Sequence, residues 1–246
     1  MVDVLTYKES FLKSGFVIID NVYSHQEIAK IIELIEKVDT SKDIFRKSED
    51  LFAIRQFLKE VPDVITLIFN EPLCRVIKEI FDETYFVSKS IYFDKPEHSN
   101  WFVAYHQDLT ISVDSKVAID GFGPWTIKQN QFSVQPPLSY LEDSFTIRIH
   151  LDDTNEFNGA LKVIQQSHKK GIFRLNTIDL SKEKETICTV KKGGVMIMRP
   201  LLMHASNRTI NNKKRRVVHI EFNNKQLPEN LNWSEKLELK ELYETL

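Results

Sequence analysis

The sequence predicts a mainly β fold with flanking helices, built as an N-terminal helical scaffold followed by a β-rich core. Apolar residues recur at helical spacing through about residues 1–82, whereas aromatic and β-branched runs bounded by turn residues dominate from Tyr85 onward. Two of the later runs alternate between apolar and polar residues over most of their length, which is typical of strands. No internal repeat interrupts the chain, so a single domain is expected over residues 1–246.

Composition excludes several classes of protein. The chain has 246 residues, of which 42% are apolar and 28% charged, as in proteins that bury a sizeable core. A net charge of -2 argues against a general nucleic-acid surface, which needs a basic excess. The N-terminus lacks the basic and apolar regions of a signal peptide, and no run of about 18 apolar residues predicts a membrane span. Two cysteines without ligand spacing fit a reducing compartment, so a cytoplasmic location is expected.

The first elements are a short buried strand at residues 15–20 and a helix that begins after Ser24. Ser24 and Glu27 form a capping box, in which each side chain accepts a hydrogen bond from the backbone N–H of the other residue. The helix carries a stripe of isoleucines at helical spacing, which predicts core packing rather than a binding face: Ile28, Ile31, Ile32 and Ile35.

A polar stretch at residues 39–48 is predicted to be a loop, and helical segments are predicted after it. These segments cover residues 48–60, 63–69 and 71–81. Pro72 fits the first turn of the last helix, because a residue there has no intrahelical N–H bond to lose. The first third of the chain is therefore predicted to be mainly helical.

A strand is predicted at residues 85–93, and a long segment with little periodicity follows at residues 112–142. Segments of this length inside a compact chain are usually lids or binding loops, so this one is predicted to be a lid-like insertion. Trp125 within it either covers a site or packs against its own loop. At the far end of the chain, about residues 230–246 are predicted to form a C-terminal helix.

The two alternating strands place arginine and histidine on their less apolar faces. Residues 145–152 carry Arg148 and His150 on that face, and residues 215–222 carry Arg215 and His219 on theirs. In an ordinary sandwich such a face lies in water, whereas in a barrel it lines a ligand cavity. The pattern leaves both interpretations open. Three shorter strands are predicted between them, at residues 160–164, 186–190 and 195–198.

A histidine and an aspartate mark the candidate metal site. His106 and Asp108 are two residues apart, so in an extended chain their side chains leave the same face. One imidazole and one carboxylate are two of the three ligands of a 2-His-1-carboxylate site for non-haem Fe(II), and His204 is the candidate third ligand. The same three ligands also fit zinc, so a zinc-type hydrolase is an alternative.

Several motifs together resemble one known family. They are the tripeptide His106-Gln107-Asp108, the pair His204-x-Ser206 with Arg215 beyond it, and the segments 15–20, 95–96, 151–153 and 158–164. On these motifs the chain resembles the phytanoyl-CoA dioxygenase family of Fe(II)/2-oxoglutarate-dependent oxygenases. The resemblance implies a double-stranded β-helix, which is a cupin-like jelly roll, over about residues 83–225.

The resemblance also implies roles for individual residues. His106, Asp108 and His204 would bind Fe(II), while Ser206 and Arg215 would hold the distal carboxylate of 2-oxoglutarate. Gln107 would lie near the same cosubstrate. Arg148 would line the pocket at a position where family members often carry an aromatic residue, and Ile91 would be a further pocket residue. The sequence departs from the family at Gln165-Gln166-Ser167-His168, where Pro-Gly-Ser-His is usual, and His168 is predicted to be structural.

The activity implied by the resemblance is hydroxylation of an unactivated C–H bond in a small molecule. O2 and 2-oxoglutarate would be consumed, and succinate and CO2 released. An aspartate at position 108 favours hydroxylation, since related halogenases carry a small apolar residue there. Alternatives are the zinc enzyme and a non-catalytic jelly-roll binder.

Expectations about partners follow from the same pattern. A small-molecule substrate is expected, with no nucleic acid and no membrane, and the chain is expected to be a monomer or a homodimer. Arg148 and His150 favour a polar or anionic substrate over a lipid. The alternative for Arg148 is a pairing with a cavity carboxylate such as Glu221.

Overall fold

Antiparallel sheets form most of the molecule, as the sequence predicts. The computed structural model describes residues 4–39, 45–48, 51–128, 131–174, 177 and 179–243. Two sheets of eight and four strands form the core, and a third sheet of three strands lies beside them. The strands are β1 Phe16–Ile19, β2 Phe45–Ser48, β3 Leu51–Arg55, β4 Phe86–Lys95, β5 Val103–His106, β6 Ile111–Val113, β7 Trp125–Lys128, β8 Gln131–Val134, β9 Phe145–His150, β10 Leu161–Ile164, β11 Glu185–Cys188, β12 Val195–Met198, β13 His204–Ser206, β14 Arg215–Asn223 and β15 Leu237–Glu238.

The large sheet has the order β1-β12-β9-β14-β4-β3-β2, with β15 also pairing with β4. The four-stranded sheet has the order β11-β10-β13-β5, and the small sheet has the order β6-β8-β7. Strands far apart in sequence are neighbours in both core sheets, which is the crossing pattern of a jelly roll. The structure therefore agrees with the predicted β fold.

Helices pack mainly on the outer face of the large sheet. They are α1 Val4–Ser14, α2 His25–Glu36, α3 Phe57–Glu60, α4 Ile65–Ile68, α5 Glu71–Ile80, α6 Leu138–Glu142 and α7 Leu239–Tyr243. The capping box of Ser24 and Glu27 is confirmed at the start of α2, as is Pro72 in the first turn of α5. Within the described ranges, none of these helices has the length and apolar character needed to cross a membrane.

The alternating strands separate an apolar layer from a polar interior. On β9 and β14, the apolar side chains join the helices in one buried cluster, and the Phe145 ring stacks on Phe81 at 3.5 Å and on Phe222 at 4.5 Å. Burial of this face supplies the driving force for docking the helical scaffold on the sheet. The opposite face of β9, with Arg148 and His150, is buried as well. Of the two interpretations left open by the pattern, the cavity is confirmed and the solvated face is wrong.

The helix predicted at residues 48–60 is wrong over most of its length. Residues 51–55 form β3, which pairs with β4, and only Phe57–Glu60 is helical. Ala53 and Ile54 are both buried, so this short apolar run fits a covered strand as well as a helix, and pairing with β4 decides between them. The predicted loop at residues 39–48 contains β2 at its end, and its residues 40–44 lie outside the described residues.

The segment 112–142 has more regular structure than its sequence indicates. It contributes the small sheet and α6, and the apolar face of that sheet packs on Phe86, Leu231 and Trp233. Trp125 belongs to this cluster, so of its two predicted roles the packing one is confirmed. That the segment acts as a lid stays a prediction.

The predicted C-terminal helix at about 230–246 is much shorter in the structure. Only α7 is helical, and it is preceded by β15, which pairs with Phe86 and Val87. Trp233 forms an isolated β-bridge with Val113. Backbone hydrogen bonds to neighbouring strands thus replace the predicted helix in this region, and residues 244–246 lie outside the described residues.

Glu235 fills a gap along the edge of β4. Strand β3 pairs with β4 only from Ile91 onward, and β15 pairs with it only at Phe86 and Val87. Between them the Glu235 carboxylate accepts hydrogen bonds from the Ser90 backbone N–H at 2.9 Å and from the Ser90 hydroxyl. Burial outweighs these hydrogen bonds and raises the pKa of Glu235 to about 6 from its ordinary value of 4.5.

We expect Glu235 to make stability depend on pH. Because its folded pKa lies above its unfolded pKa, the folded state holds an extra proton between pH 4.5 and about 6. The contribution of this carboxyl is therefore greatest below pH 4.5 and declines as the pH rises through 6. The full shift corresponds to about 2 kcal/mol, and partial exposure reduces this to about 1 kcal/mol.

Urea unfolding of the parent protein and of Glu235→Gln at a series of pH values measures this effect. As the pH rises from 4.5 to about 6, the parent protein should lose stability relative to Glu235→Gln. A difference that is constant over this range would contradict the assignment.

Candidate active site

Two neighbouring strands bring the candidate metal ligands together. In the register of β13 with β5, His204 lies opposite His106, and their ring centroids are 4.2 Å apart. Asp108 follows the end of β5, where its backbone N–H donates to the Pro200 carbonyl at 2.9 Å. Its carboxylate oxygens lie 3.6 Å from the Nε2 atoms of His106 and His204. All three ligand atoms lie within 4.8 Å of one another.

Backbone carbonyls fix the orientation of both imidazoles. Nδ1 of His106 lies 2.9 Å from the Ala104 carbonyl, and Nδ1 of His204 lies 2.8 Å from the Leu202 carbonyl. A carbonyl only accepts hydrogen bonds, so each Nδ1 carries the proton and each Nε2 keeps a free lone pair. Such outer hydrogen bonds set the tautomer of metal-binding histidines. Both Nε2 atoms therefore face the Asp108 carboxylate in the form that coordinates a metal.

The protonation states also suit a cation. Burial alone would raise the pKa of Asp108, but the neighbouring imidazoles of His204, His106 and His219 hold it well below its usual range. Burial lowers the pKa of His204 to about 4, whereas for His106 the Asp108 carboxylate outweighs burial and raises the pKa. An ionised carboxylate and a neutral imidazole are the forms that bind divalent metals. The His106 side chain is 39% exposed against 5% for His204, so the site opens on the His106 side.

A second polar group lies next to the triad, around Gly159. The Ser206 hydroxyl and an Nη of Arg215 both donate to the Gly159 carbonyl. Gly159 has φ +84, and a Cβ there would lie 2.9 Å from the Asn207 carbonyl oxygen, so the position requires glycine. Arg215 is fully enclosed and its Nε has no hydrogen-bond partner among the described residues. This arginine is arranged to bind something beyond its protein partners.

Arg148 begins a chain of hydrogen bonds across the same interior. Its Nη1 donates to Nδ1 of His219 at 3.0 Å, and His219 Nε2 donates to Glu221 at 3.0 Å. Glu221 also accepts from Lys89 at 2.7 Å. His219 therefore stands between Arg148 and the carboxylate that was its predicted alternative partner. Among the residues that the structure describes, the Nε of Arg148 is also buried without a hydrogen-bond partner, so this side chain keeps a donor available.

Burial does not remove the charge of these arginines. It lowers the pKa of Arg215 to about 9 and that of Arg148 to about 10, and both values stay well above neutral pH. Each guanidinium is therefore a buried cation with an unpaired Nε. Asp108 offsets part of the charge of Arg148, whereas Arg215 has no acidic neighbour among the described residues. A buried cation without a counter-charge is costly, so Arg215 indicates an anionic ligand in the pocket.

These side chains line one cavity of about 210 Å³, which we call the metal pocket. The predicted residues Ile91, Arg148, Ser206 and Arg215 all line it, together with the three metal ligands. Several lining residues were not predicted from the sequence. Two of them, Lys89 and Phe93, lie on the same face of β4 as Ile91, so the alternation of side chains along the strand could have identified them. The other missed residues are Trp101, Val103, Leu161 and Ala205.

Comparison with known protein families decides the assignment. A family model described as "Phytanoyl-CoA dioxygenase (PhyH)" matches residues 11–217. The chain belongs to the phytanoyl-CoA dioxygenase family. It is thus an enzyme of the Fe(II)/2-oxoglutarate-dependent oxygenase superfamily, as the sequence motifs predict. No curated protein sequence matches the chain.

Solved structures support the fold of this phytanoyl-CoA dioxygenase family member. HygX from Streptomyces hygroscopicus, with nickel, 2-oxoglutarate and hygromycin B bound, is 16% identical with a TM-score of 0.64, over 91% of this chain and 88% of that one. EctD from S. alaskensis, with 2-oxoglutarate and 5-hydroxyectoine, is 18% identical with a TM-score of 0.66, over 88% and 74%. The non-heme alpha ketoglutarate dependent carbocyclase SnoK from nogalamycin biosynthesis is 15% identical with a TM-score of 0.64, over 89% and 83%.

The residues present fit the two groups that the phytanoyl-CoA dioxygenase family uses. Two imidazole nitrogens and one carboxylate facing each other fit Fe(II) in its facial-triad mode. The unpaired Nε of Arg215, enclosed beside Ser206, fits a carboxylate of 2-oxoglutarate, since a guanidinium binds carboxylates through two parallel N–H bonds.

The position of Gln107 differs from the one predicted from the phytanoyl-CoA dioxygenase resemblance. Its side chain does not line the metal pocket. The Nε2 group donates to the carbonyls of Gly171 at 2.8 Å and Leu201 at 2.7 Å, and Oε1 accepts from the Phe173 backbone N–H at 3.1 Å. Because Gln107 lies between two residues that face the metal, it points the opposite way, and its amide joins two backbone segments.

We expect Gln107→Ala to lower stability rather than cosubstrate affinity. The substitution leaves buried backbone groups without partners, which should lower the free energy of unfolding by about 1–3 kcal/mol. Urea unfolding measures this change, and titration with 2-oxoglutarate under anaerobic conditions measures affinity. Unchanged stability together with much weaker 2-oxoglutarate binding would return Gln107 to the cosubstrate site.

Proposed function

We propose that this enzyme hydroxylates an unactivated C–H bond of a small-molecule substrate, with release of succinate and CO2. One observation carries the proposal: a complete set of metal ligands and an enclosed arginine with an unpaired Nε line the same cavity. A metal site alone serves many reactions, but a metal site beside a buried carboxylate receptor fits an oxidation driven by 2-oxoglutarate.

Each residue has a binding or positioning task. His106, Asp108 and His204 would hold Fe(II), and Arg215 with Ser206 would bind the distal carboxylate of 2-oxoglutarate. When bound, the metal and the cosubstrate supply the activation of O2. The protein keeps this chemistry away from bulk water, because His204 and Arg215 lie on the buried side of the metal pocket.

Hydroxylation is distinguished from other oxidations by the fate of oxygen. In the proposed reaction, R–H, 2-oxoglutarate and O2 give R–OH, succinate and CO2, with one atom of O2 in R–OH and the other in succinate. A cyclisation or an epimerisation leaves the organic product without a new oxygen atom. Asp108 keeps the carboxylate ligand in place, which favours hydroxylation over halogenation.

The test is a screen of metabolites for stimulated succinate formation with Fe(II), 2-oxoglutarate and ¹⁸O2. The expected result is a compound that stimulates succinate formation and whose product gains one oxygen atom. The product mass should rise by about 16 units in ordinary O2 and by about 18 units in ¹⁸O2. A product formed with succinate but without label would replace hydroxylation by another oxidation. The same screen tests the predicted small-molecule substrate.

A zinc hydrolase is the alternative use of the same ligands. Zinc would bind the triad, yet hydrolysis by a metal-bound water gives no reason for the unpaired arginines beside it. Anaerobic addition of Fe(II) and 2-oxoglutarate separates the two functions, because the oxygenase is expected to develop a weak visible charge-transfer band. A zinc hydrolase would show none, whereas a jelly-roll protein that keeps the pocket but has lost its chemistry would show the band without forming succinate.

A further inference from the structure

A second cavity adjoins the metal pocket and shares two residues with it. This polar chamber has a volume of about 180 Å³, and Lys89 and Ile91 line both cavities. Its walls come from the end of β3, the edge of β4, the small sheet and the segment before β15. A molecule in the polar chamber would therefore lie directly beside the space around the metal ligands.

The small sheet presents its polar face to the polar chamber. In its register Ser112 and Thr126 both lie opposite Ser133, so the hydroxyls form a row across three strands. The other face of the sheet, which includes Val113 and Val134, is held against the protein by apolar packing. This packing fixes the row of hydroxyls toward the chamber, in an orientation that is set before any ligand binds.

The opposite wall adds charged and hydroxyl groups. Glu235 and Ser234 lie there with Arg55 at the end of β3, and Lys89 reaches in from β4. Among the described residues that line the polar chamber, Ile91 is the only one with a hydrocarbon side chain. A wall of this kind offers few apolar contacts to an acyl chain. An acyl chain bound there would also remove water from the polar groups of the wall without giving them new hydrogen-bond partners.

We propose that the polar chamber is the substrate site and that it takes a polyhydroxylated small molecule of the sugar or cyclitol class. This inference rests on the proposed function, since it names the substrate of the same active site. A hydroxyl group both donates and accepts, so a row of protein hydroxyls pairs with a row of ligand hydroxyls in either sense. Arg55 and Glu235 add donors and an acceptor at the opposite wall.

Ser133 offers a matched pair of variants. Ser133→Thr and Ser133→Val introduce side chains of nearly equal shape, but only threonine keeps the hydroxyl. The effect of size is therefore common to both variants, and the difference between them reports the hydrogen bond alone. Ser133 lies in the centre of the row, since it is the residue that pairs with both Ser112 and Thr126.

The test is binding by ligand-detected NMR to the protein loaded with Fe(II) and 2-oxoglutarate under anaerobic conditions. The probes are myo-inositol, methyl glucoside, sucrose, hygromycin B and lauroyl-CoA. At least one hydroxyl-rich probe is expected to bind with a Kd of about 1 mM or below, and lauroyl-CoA is not. The best probe should bind Ser133→Val about tenfold more weakly than Ser133→Thr.

Three outcomes would overturn the proposal: binding of lauroyl-CoA alone, binding of none of the probes, or equal affinities in the two Ser133 variants. The visible band of the complex with Fe(II) and 2-oxoglutarate is recorded on each sample. It distinguishes failure of the proposed substrate class from failure of the proposed function. A normal band without binding of hydroxyl-rich probes removes only the substrate class. Absence of the band in the parent protein removes the proposed function itself.

Discussion

Replacing His204 with alanine is expected to reduce succinate formation from 2-oxoglutarate to less than about 1% of the parent protein, because the metal loses one of its three protein ligands. His204 is the most buried of the three, and its ring is held by the Leu202 carbonyl at 2.8 Å. Water would enter the space but would not restore the ligand field of an imidazole. Succinate assays and metal analysis of the purified variant measure the effect.

His25→Ala is the matched control for this prediction. His25 is an exposed histidine at the start of α2 and does not line the metal pocket. The control removes an imidazole without touching the metal pocket, so its metal content and turnover should equal those of the parent protein. Parent-level turnover by His204→Ala would exclude this residue as a ligand and with it the 2-His-1-carboxylate site.

Arg215→Met is expected to weaken 2-oxoglutarate binding by about 10- to 100-fold, since a hydrogen bond to a charged group is worth about 1.5–3 kcal/mol. Stability should change by no more than about 1 kcal/mol, because the substitution removes a buried cation that has no counter-charge of its own. Arg215→Lys keeps the charge but loses the fork of donors, so its affinity should lie between the two. Anaerobic titration of the visible band measures the affinities.

The adjacent Arg216 provides a control, because its substitution should lower stability without changing 2-oxoglutarate affinity. Its Nε and Nη2 donate to the two carboxylate oxygens of Asp152 at 2.9 and 2.8 Å, on the other face of β14. Arg216→Met should therefore lower the free energy of unfolding by about 2–3 kcal/mol and leave 2-oxoglutarate affinity unchanged. If Arg216→Met lost affinity while Arg215→Met kept it, the residue assigned to the cosubstrate carboxylate would be wrong.

The site could be predicted largely because its chemistry follows strand parity. Alternation alone placed Arg148, Arg215 and His219 on the less apolar faces of their strands, and the structure puts all three in the metal pocket. The pairing of His106 with His204 could not be obtained in this way, because strand order is not encoded in local periodicity. That contact was predicted from the ligand set of a 2-His-1-carboxylate site and from the resemblance of motifs, and the register of β13 with β5 confirms it.

Gln107 shows the reverse case, in which local physics was the better guide. Since side chains alternate along an extended chain, a residue between two metal-facing residues points away from the metal. The resemblance nevertheless placed Gln107 near the cosubstrate, and its three hydrogen bonds to backbone groups contradict that role. Parity therefore outweighs a motif when the two disagree about the direction of one side chain.

The elements missed from the sequence are those whose stability comes from distant partners. β3 is too short for its apolar pattern to separate strand from helix, and only its pairing with β4 decides. The small sheet is likewise hidden, because glycines and prolines interrupt the pattern and its apolar face is covered by Leu231 and Trp233 from the far end of the chain. Such long-range burial leaves no periodic signal in a local window.

The location of the triad has a thermodynamic consequence for β5. This strand lies at the edge of the four-stranded sheet, and its register with β13 is irregular between His204 and Ser206. A cation bound by both His106 and His204 would link this edge strand to β13. The free energy of metal binding would then add to the free energy of unfolding of the four-stranded sheet. Metal binding and the stability of this sheet would therefore be thermodynamically linked.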